Sequence, residues 1–529
     1  MSDQPAAKPA KKGILDKLEA IGNGLPDPVT LFFGGTVAIF LVSWLAVEQG
    51  WLAILKDADG KVLREEAAVD LLSRDGMRWL FSGELVKTFV EFEPLGLVLA
   101  VGIGIAVGEK SGFITAALKA LLVYVPRQLL TPVTFFAGVM SSAAVDAGYI
   151  VLPPLAAMIY KAVGRSPLVG IAAVFAGVAS GFNANLFVTG LDPLLAGLTA
   201  EAAQLYDKGY EVSATCNLWF MWASTALLTF VGWAVTAWWV EPRLSQRSPE
   251  EGGPGGEGAD LSSMSLSTEE RNGLAWGLTA LVITALGLWS LTFFEWGFLY
   301  DAPGTLQADG GEQLFPSWVD AIVPILILCF LIPGLAYGIR AGSIRSDRDI
   351  AKMMGDYMSM LGSYVVLAFF ASIFVAAFGK SNLGTMLAIK GGTFLQEQEV
   401  SPAVMMLGFI FVTGFMNLFV GSMSAKWALL ANVFVPMFML AGVSPELTQV
   451  TYRIGDSVTN SITPLNPYVV IVLVFMQRYV KNAGIGTLVT VMIPYAIAFL
   501  IAWAILLVVW INLGIDLGPG GPLEYVMPK

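Results

Sequence analysis

Long apolar stretches separated by short polar connections run through most of this chain. With a window of about 20 residues, the length a helix needs to cross the hydrocarbon core, the pattern predicts nine membrane spans. They are residues 29–48, 88–108, 167–199, 217–240, 272–294, 320–340, 361–379, 446–476 and 486–513. Two further apolar stretches, 130–163 and 403–441, are interrupted by serine pairs, and we expect each to form a hairpin.

The polar interruptions form a pattern that occurs twice, about 278 residues apart. The first copy runs from Ser141-Ser142 through Gly164-Arg-Ser-Pro167 to Ser180-Gly-Phe-Asn183-Ala-Asn185. The second copy runs from Ser422-Met-Ser424 through Gly442-Val-Ser-Pro445 to Asp456-Ser-Val-Thr-Asn460-Ser-Ile-Thr-Pro464. Duplicated, interrupted hydrophobic segments are typical of secondary transporters, whose substrate and ion sites lie at the repeat interface.

The basic residues predict how this pattern is oriented in a membrane, because cytoplasmic segments carry an excess of Lys and Arg. If both serine-broken stretches are hairpins that enter and leave on one side, every basic cluster falls on the cytoplasmic side. The clusters are the N-terminal lysines, Arg127, Lys161 with Arg165, Arg243 with Arg247, Arg340 with Arg345 and Arg348, and Arg478 with Lys481. The first hairpin then opens toward the cytoplasm and the second toward the outside, so the two repeats have opposite topology.

The predicted fold is therefore an all-α integral membrane protein with nine transmembrane helices plus two re-entrant hairpins in inverted-topology repeats. Such an arrangement exposes one fixed site alternately to the two sides of the membrane. The predicted parts are a cytoplasmic N-terminus (1–28), a first membrane half (29–241) with the re-entrant hairpin 130–163, a cytoplasmic linker (242–271), a second membrane half (272–513) with the re-entrant hairpin 403–441, and a C-terminal tail (514–529).

Composition agrees with a bilayer environment. Hydrophobic residues make up 56% of the chain and charged residues 13%, with a mean hydropathy of +0.70, whereas soluble domains carry about 25% charge. The net charge of −11 comes mainly from connecting segments, and no basic face indicates nucleic acid. Histidine is absent, which excludes histidine-based catalytic triads, metal sites and proton relays. A channel and a membrane-embedded enzyme are both disfavoured, so we expect a transporter and no enzyme.

The helix breaks indicate which kind of ion and substrate the protein transports. Backbone groups freed at a helix break inside a membrane need protein, water or ligand partners, because lipid offers none. The amide and hydroxyl oxygens near 181–185 and 459–464 suit Na⁺, and helix N-termini that face one cavity suit a carboxylate. The sequence therefore predicts cation-coupled movement of an organic anion. Na⁺ is favoured as the coupling ion by the amide-rich breaks, and H⁺ stays open.

Three ionisable residues, Asp192, Arg453 and Asp456, lie within apolar sequence and are candidates for function by default. Arg453 and Asp456 stand at i and i+3 of one helix, where they are predicted to pair. The alternatives are a purely structural salt bridge for that pair and a helix-terminating role for Asp192, which precedes a proline.

Longer motifs make the chain recognisable. The stretches Asn417-Leu-Phe-Val-Gly421-Ser-Met-Ser424-Ala-Lys-Trp427, Ser444-Pro445-Glu-Leu-Thr-Gln and Tyr452-Arg453-Ile-Gly-Asp456-Ser-Val-Thr-Asn460 closely resemble the AbgT family of p-aminobenzoyl-glutamate transporters. The first half agrees through Val145-Asp146-Ala-Gly-Tyr-Ile-Val-Leu and through Leu186 to Thr199. The resemblance implies a homodimer in the bacterial inner membrane that imports p-aminobenzoyl-glutamate or exports p-aminobenzoate and sulfonamide antimetabolites. The direction of transport stays open.

Carried over by motif, the resemblance implies that Na⁺ is held by Asn417, Gly421, Asp456 and Asn460 near the second hairpin tip. The residues expected to bind the aromatic carboxylate are Asp192, Ser424, Trp427, Pro445 and Arg453, with Asn185 in the first break. Ser141-Ser142 stands where the family pattern is Ser-Asn, and Asn432 and Asn466 replace commoner apolar residues. These departures leave the role of the first tip in ion binding open.

Elementary chemistry agrees with two of these roles. Arg453 offers a planar fork for a carboxylate, and Trp427 offers a face for an aromatic ring. The alternative for Trp427 is simple packing. Lys426 is less attractive as a ligand, since a long basic side chain near a hairpin can extend toward an interface.

Overall fold

The computed structural model describes residues 28–56, 62–143, 145–254, 266–301, 316–463, 466 and 468–526. Within them the protein is helical apart from one antiparallel pair of strands, Leu52–Lys56 and Val62–Ala67. Eight of these helices are long and apolar enough to cross a membrane, or nine if a bent pair, Phe113–Val123 with Arg127–Met140, forms one span. The predicted helical membrane protein is confirmed at this level. Residues 1–27 of the predicted N-terminus and residues 255–265 of the predicted linker lie outside the described residues.

The helices of the first half are Pro28–Glu48, Arg74–Trp79, Leu85–Val90, Glu93–Lys110, Phe113–Val123, Leu130–Met140, Val145–Ile150, Leu152–Ala162, Pro167–Phe175, Leu191–Ala203, Leu218–Val235 and Glu241–Ser245. Those of the second half are Thr268–Phe293, Ser317–Asp320, Ile322–Ala341, Asp347–Met360, Gly362–Lys380, Leu383–Glu397, Pro402–Asn417, Met423–Leu440, Pro445–Val458, Tyr468–Gln477 and Ile485–Leu513. Hydropathy did not predict Phe113–Val123, Asp347–Met360 or Leu383–Glu397, because they are too short or too polar for a window of membrane length.

Two predicted spans, 167–199 and 446–476, are each divided into two helices. The first broken helix consists of Pro167–Phe175, a π-helical turn at Ala176–Ser180, an irregular stretch and Leu191–Ala203. The second broken helix consists of Pro445–Val458 and Tyr468–Gln477. The divisions fall where the sequence placed its polar interruptions. π-Helical turns are rare and are frequent at functional sites.

A helical hairpin precedes each broken helix. The first hairpin (130–162) reverses direction around Ser141–Ala143, so that Tyr160 Oη lies 3.2 Å from Thr131 Oγ1. The second hairpin (402–440) reverses between its two helices, which brings the rings of Phe409 and Phe438 to 5.4 Å. In both cases the beginning of the first arm lies beside the end of the second, so each hairpin starts and finishes at the same end.

The turn from each hairpin into its broken helix is built alike. Gly164 and Gly442 occupy equivalent positions and have φ angles of 78° and 84°, a left-handed conformation that glycine adopts without steric cost. Pro167 and Pro445 then begin the helices, where the missing N–H of proline is no loss. The duplicated Gly-x-Ser-Pro motif thus encodes a duplicated turn.

Each broken helix also packs closely on the first arm of its hairpin. A Cβ atom on Gly177 would lie 2.9 Å from the carbonyl oxygen of Phe135, and one on Gly455 would lie 2.6 Å from that of Ile410. Gly177 and Gly455 are again equivalent, at the 278-residue offset of the repeats. Backbone therefore meets backbone at both contacts, and only glycine fits.

The two hairpins open at opposite ends of the molecule. Near the start of the helix Ile485–Leu513, Lys161 at the base of the first hairpin lies 5.8 Å from the ring of Tyr479. Beyond the far end of that helix, Ser444 after the second hairpin donates to the carbonyl of Pro522 at 2.6 Å. The helix has 29 residues, and at 1.5 Å per residue it separates the two bases by about 43 Å. Inverted repeats require this arrangement.

Candidate functional site

The breaks of the two broken helices meet. Ser180 Oγ and Ser461 Oγ are 2.6 Å apart, and the Asn183 amide donates to Ser457 Oγ at 2.8 Å. Position 183 corresponds to 461 in the second repeat, and position 180 corresponds to 458, one residue after Ser457. Each repeat therefore offers the same region to the other, a reciprocal contact typical of elements related by a two-fold axis.

Arg453 forms a buried ion pair with Asp192, on the other broken helix. Arg453 Nη2 donates to Asp192 Oδ1 at 2.6 Å and to the carbonyl of Asn183 at 3.3 Å. The second oxygen of Asp192 accepts from the backbone N–H and hydroxyl of Thr189 at 2.7 and 2.9 Å. The predicted Arg453–Asp456 pair is wrong. Every residue of Pro445–Val458 is buried, so its charged side chains pair with the elements that surround it and not along its own surface.

Lys426 forms the second buried ion pair. Its Nζ lies 2.7 Å from Asp456 Oδ1, and the two side chains are 0% and 1% exposed. The ammonium also donates to Asn417 Oδ1 and, at 3.1 Å, to the carbonyl of Val420. Lys426 does not extend toward an interface, because its side chain is buried and its ammonium is held by Asp456, Asn417 and Val420.

The structure brings three of the four predicted Na⁺ ligands together. Asn417 donates through its amide to the carbonyl of Asp456 at 2.7 Å and to Asn460 Oδ1 at 2.8 Å. Gly421 is exposed. The Asn417 and Asp456 side-chain oxygens that Na⁺ would need both accept from Lys426. The donor chemistry suits a cation, but the positive charge that this arrangement holds is the lysine ammonium.

A cavity of about 340 Å³ lies where the two hairpin tips converge on outer helices. Ser142 of the first tip and Ser424 of the second both line it. The other lining residues are Val98, Gly102, Ile105, Glu109, Gly190, Leu191, Leu194, Tyr357, Met360, Leu361, Tyr364 and Tyr468. Ser142 Oγ and Tyr364 Oη are buried without a hydrogen-bond partner within the described residues. A largely apolar pocket with a few convergent polar groups is the usual form of a small-molecule site.

Of the predicted substrate-binding residues, only Ser424 lines this cavity. Trp427 is fully buried, packs against the ring of Tyr452 at 4.5 Å and donates its indole N–H to Thr199 Oγ1 at 3.0 Å, so the packing alternative describes it in this structure. The remaining predicted residues are buried and do not line the cavity; they are Asn185, Asp192, Pro445 and Arg453.

Sequence reasoning missed the tyrosines. Tyr357 and Tyr364 come from the helices Asp347–Met360 and Gly362–Lys380, far from both repeat motifs. Tyr468, after the second break, lines the cavity and stacks on Tyr149 with ring centroids 4.1 Å apart. No spacing in the sequence points to Tyr357 or Tyr364. Tyr468 follows the second motif closely, so the predicted helix break already pointed to this part of the chain.

A sequence model of the AbgT putative transporter family matches residues 13–525. The chain is 32% identical over 523 residues to the p-aminobenzoyl-glutamate transport protein of Escherichia coli K12, covering 98% of each chain.

Two solved structures are similar across nearly the whole fold. The Alcanivorax borkumensis YdaH transporter has 39% identity and a TM-score of 0.85, with 93% of this chain and 100% of that one covered. MtrF of Neisseria gonorrhoeae, from a class of antimetabolite efflux pumps, has 39% identity and a TM-score of 0.86, with 96% and 100% covered.

Proposed function

Because this chain belongs to the AbgT putative transporter family, we propose that it is an ion-coupled secondary transporter of p-aminobenzoyl-glutamate or related aromatic carboxylates. The observation that carries the proposal is the cavity that Ser142 and Ser424 share. Tips from two inverted repeats contribute to one chamber, which is the geometry that alternating access needs.

The chamber has the size and the chemistry for an aminobenzoyl group. Its volume of about 340 Å³ lies within the range of small-molecule pockets, roughly 300–1,000 Å³. Leu191, Leu194 and Ile105 supply apolar walls, and the tyrosines supply aromatic edges and faces for a ring.

Polar groups in the chamber match the two ends of an aminobenzoate. The hydroxyls of Ser142 and Tyr364, which have no hydrogen-bond partner in the described part of the chain, are donors for a carboxylate. Glu109, whose carboxylate lies 3.8 Å from the ammonium of Lys110, offers an acceptor for the aryl amine. A hydroxyl buried without a partner is costly, so a substrate that accepts from it gains affinity.

The ion pairs behind the wall support the same site. Asp192 is one residue from Leu191 and two from Leu194, so its bond to Arg453 lies directly behind two lining residues. In the proposed cycle the pair holds the two broken helices together while the hairpin tips open in turn toward opposite sides. Na⁺ and H⁺ are both candidates for the coupling ion.

The remaining features of the proposal concern the bilayer. We place the protein in the bacterial inner membrane as a homodimer of nine-span protomers, with both hairpins re-entrant. Seven unbroken helices outside the hairpins are long and apolar enough to cross a membrane, and together with the two broken helices they give nine spans within the described residues. The opposite openings of the two hairpins also support this arrangement.

Efflux is the second candidate function. The similarity to MtrF, from a class of antimetabolite efflux pumps, is as extensive as that to any relative described above. An efflux pump for p-aminobenzoate and sulfonamide antimetabolites would use the same chamber, because these compounds share the aminobenzene ring.

Reconstituted protein tests both candidates. Proteoliposomes are prepared with opposed gradients of Na⁺ or H⁺, and movement of labelled p-aminobenzoyl-glutamate and p-aminobenzoate is followed in each direction. We expect gradient-driven transport of at least one compound, and the sign of the driving gradient distinguishes import from efflux.

A matched pair of variants links the transport to the chamber. Ser424→Ala removes a hydroxyl from the cavity, and Ser359→Ala removes one from the exposed side of a helix. Folded protein that moves neither compound under any gradient would rule out the proposed function. Equal transport by Ser424→Ala and Ser359→Ala across substrate concentrations would remove the chamber from it.

A further inference from the structure

Lys426 sits where the family resemblance implies a metal ion. Its three hydrogen-bond acceptors are Asp456 Oδ1, Asn417 Oδ1 and the carbonyl of Val420. Two of them are side chains assigned to Na⁺, and the third is the carbonyl next to Gly421, which was also assigned to Na⁺. A lysine ammonium has three N–H donors and no acceptor, so this set satisfies it completely.

The other side-chain oxygens of the predicted metal set also accept hydrogen bonds. The other oxygen of Asp456 accepts from the amide of Asn183 at 3.1 Å. The oxygen of Asn460 accepts from the amide of Asn417 at 2.8 Å. No side-chain oxygen of the predicted metal set within the described residues is left without a donor.

The charges of the site also argue against a bound metal ion. The site contains one carboxylate, Asp456, and one ammonium, and both side chains are shielded from solvent. The second buried carboxylate nearby, Asp192, is paired with Arg453. A metal ion added beside Lys426 would place two positive charges against one negative charge where water does not screen them, which is strongly unfavourable.

We propose that Lys426 is the resident cation of the second hairpin tip and that Na⁺ does not bind between Asn417 and Asp456 while the lysine is there. One consequence of this inference rests on the proposed transport function: transport does not require Na⁺ at this position. The lysine joins the tip to the second broken helix, and it performs there the bridging that a bound metal ion would perform.

Binding of radiolabelled Na⁺ to purified protein tests the proposal without substrate. Wild-type protein is compared with Asp456→Asn, with Lys426→Met and with the double variant Lys426→Met/Asp456→Asn, each in NaCl and in choline chloride of equal ionic strength. We expect no saturable Na⁺ binding by the wild type that depends on Asp456, and the same melting temperature in both salts. Lys426→Met leaves the Asp456 carboxylate without its counter-charge and the Asn417 side-chain oxygen without the lysine donor, so we expect it to gain saturable Na⁺ binding and a melting temperature that rises in NaCl alone.

The double variant removes both charges and is expected to lose the Na⁺ effect again. Lys390→Met serves as the control, because Lys390 is an exposed lysine of the helix Leu383–Glu397, and it should behave as the wild type. If Lys426→Met does not fold, the wild-type measurement still decides.

Saturable Na⁺ binding by the wild type that disappears in Asp456→Asn would overturn the proposal. A folded Lys426→Met protein whose Na⁺ binding and melting temperature match the wild type would overturn it as well. Na⁺ binding and melting temperature are both measured without an aromatic substrate. A negative result in these measurements therefore does not decide whether the protein transports, and a negative transport assay does not decide whether Na⁺ binds at Asp456.

Discussion

Four buried charges organise the centre of the protein as two ion pairs, Arg453 with Asp192 and Lys426 with Asp456. Each pair joins residues from different elements, and each is almost entirely removed from solvent. A buried ion pair contributes little net stability compared with apolar packing, but removal of one partner leaves an uncompensated charge. Their effect is therefore to fix which elements meet.

The Arg453–Asp192 pair gives a prediction by double-mutant cycle. Arg453→Gln and Asp192→Asn should each lower the free energy of unfolding by about 3–5 kcal/mol, because each leaves the opposite charge buried and unpaired. The double variant should lose clearly less than the sum of the two. Denaturation in detergent measures all three, and additive losses would mean that the two side chains do not interact.

The hydroxyl of Ser142 gives a prediction that separates binding from stability. Ser142→Ala should weaken substrate affinity about two- to tenfold, the value of one hydrogen bond of about 0.5–1.5 kcal/mol. The melting temperature should not fall, since Ser142 Oγ has no hydrogen-bond partner to lose among the residues that the structure describes. Titration of p-aminobenzoate against purified protein measures the affinity.

Thr229→Val is the matched control for Ser142→Ala. Thr229 Oγ1 is also buried without a partner within the described residues, but Thr229 lies on Leu218–Val235 and does not line the cavity. Its replacement should leave affinity unchanged. If both variants bind alike, the cavity is not the substrate site.

At the scale of elements, the contact between each hairpin and its broken helix is set by glycine. Gly177 and Gly455 let backbone approach backbone in the two repeats, and the close approach is what holds the breaks in register. Small residues have the same role wherever membrane helices pack closely.

Gly455→Ala should therefore destabilise the protein by about 1–3 kcal/mol, the usual cost of overpacking, since its Cβ would lie 2.6 Å from the carbonyl oxygen of Ile410. Gly408→Ala is the control on Pro402–Asn417, because nothing lies within 4 Å of the added atom. Thermal unfolding should show a loss for Gly455→Ala and none for Gly408→Ala. Equal effects would mean that the close contact does not matter.

At the scale of the whole molecule, the long helix Ile485–Leu513 separates the bases of the two hairpins. The outer helices, including Glu93–Lys110 and Asp347–Met360, complete the cavity wall opposite the tips. The proposed substrate chamber thus lies between the duplicated core and its surroundings, where movement of the core would change which side has access.

This arrangement predicts the sidedness of two exposed residues. Single cysteines at Ser248, close to the base of the first hairpin, and at Glu524, close to the base of the second, should react with a membrane-impermeant maleimide from opposite sides of the membrane. Both single-cysteine variants also carry Cys329→Ala, so that the one native cysteine left is Cys216, which is buried. The Cys329→Ala protein without an added cysteine is the control for background labelling. Reaction of both from one side would contradict inverted repeats.

The sequence by itself determined the repeats, the turns and the breaks. Gly164, Pro167 and their counterparts Gly442 and Pro445 act through local conformation, so their effect can be read without knowing any neighbour. Membrane spans follow from hydropathy for the same reason, because the solvent requires them to be long and apolar.

Only the tertiary structure decided which polar groups meet. Arg453 lies three residues from Asp456 but pairs with Asp192, 261 positions away, and Lys426 takes the place that motif reasoning gave to Na⁺. Two of the three tyrosines that line the cavity, Tyr357 and Tyr364, come from helices outside the repeats. A buried charge pairs with whatever surrounds it, and what surrounds a helix inside this protein is set by packing between elements that are distant in the chain.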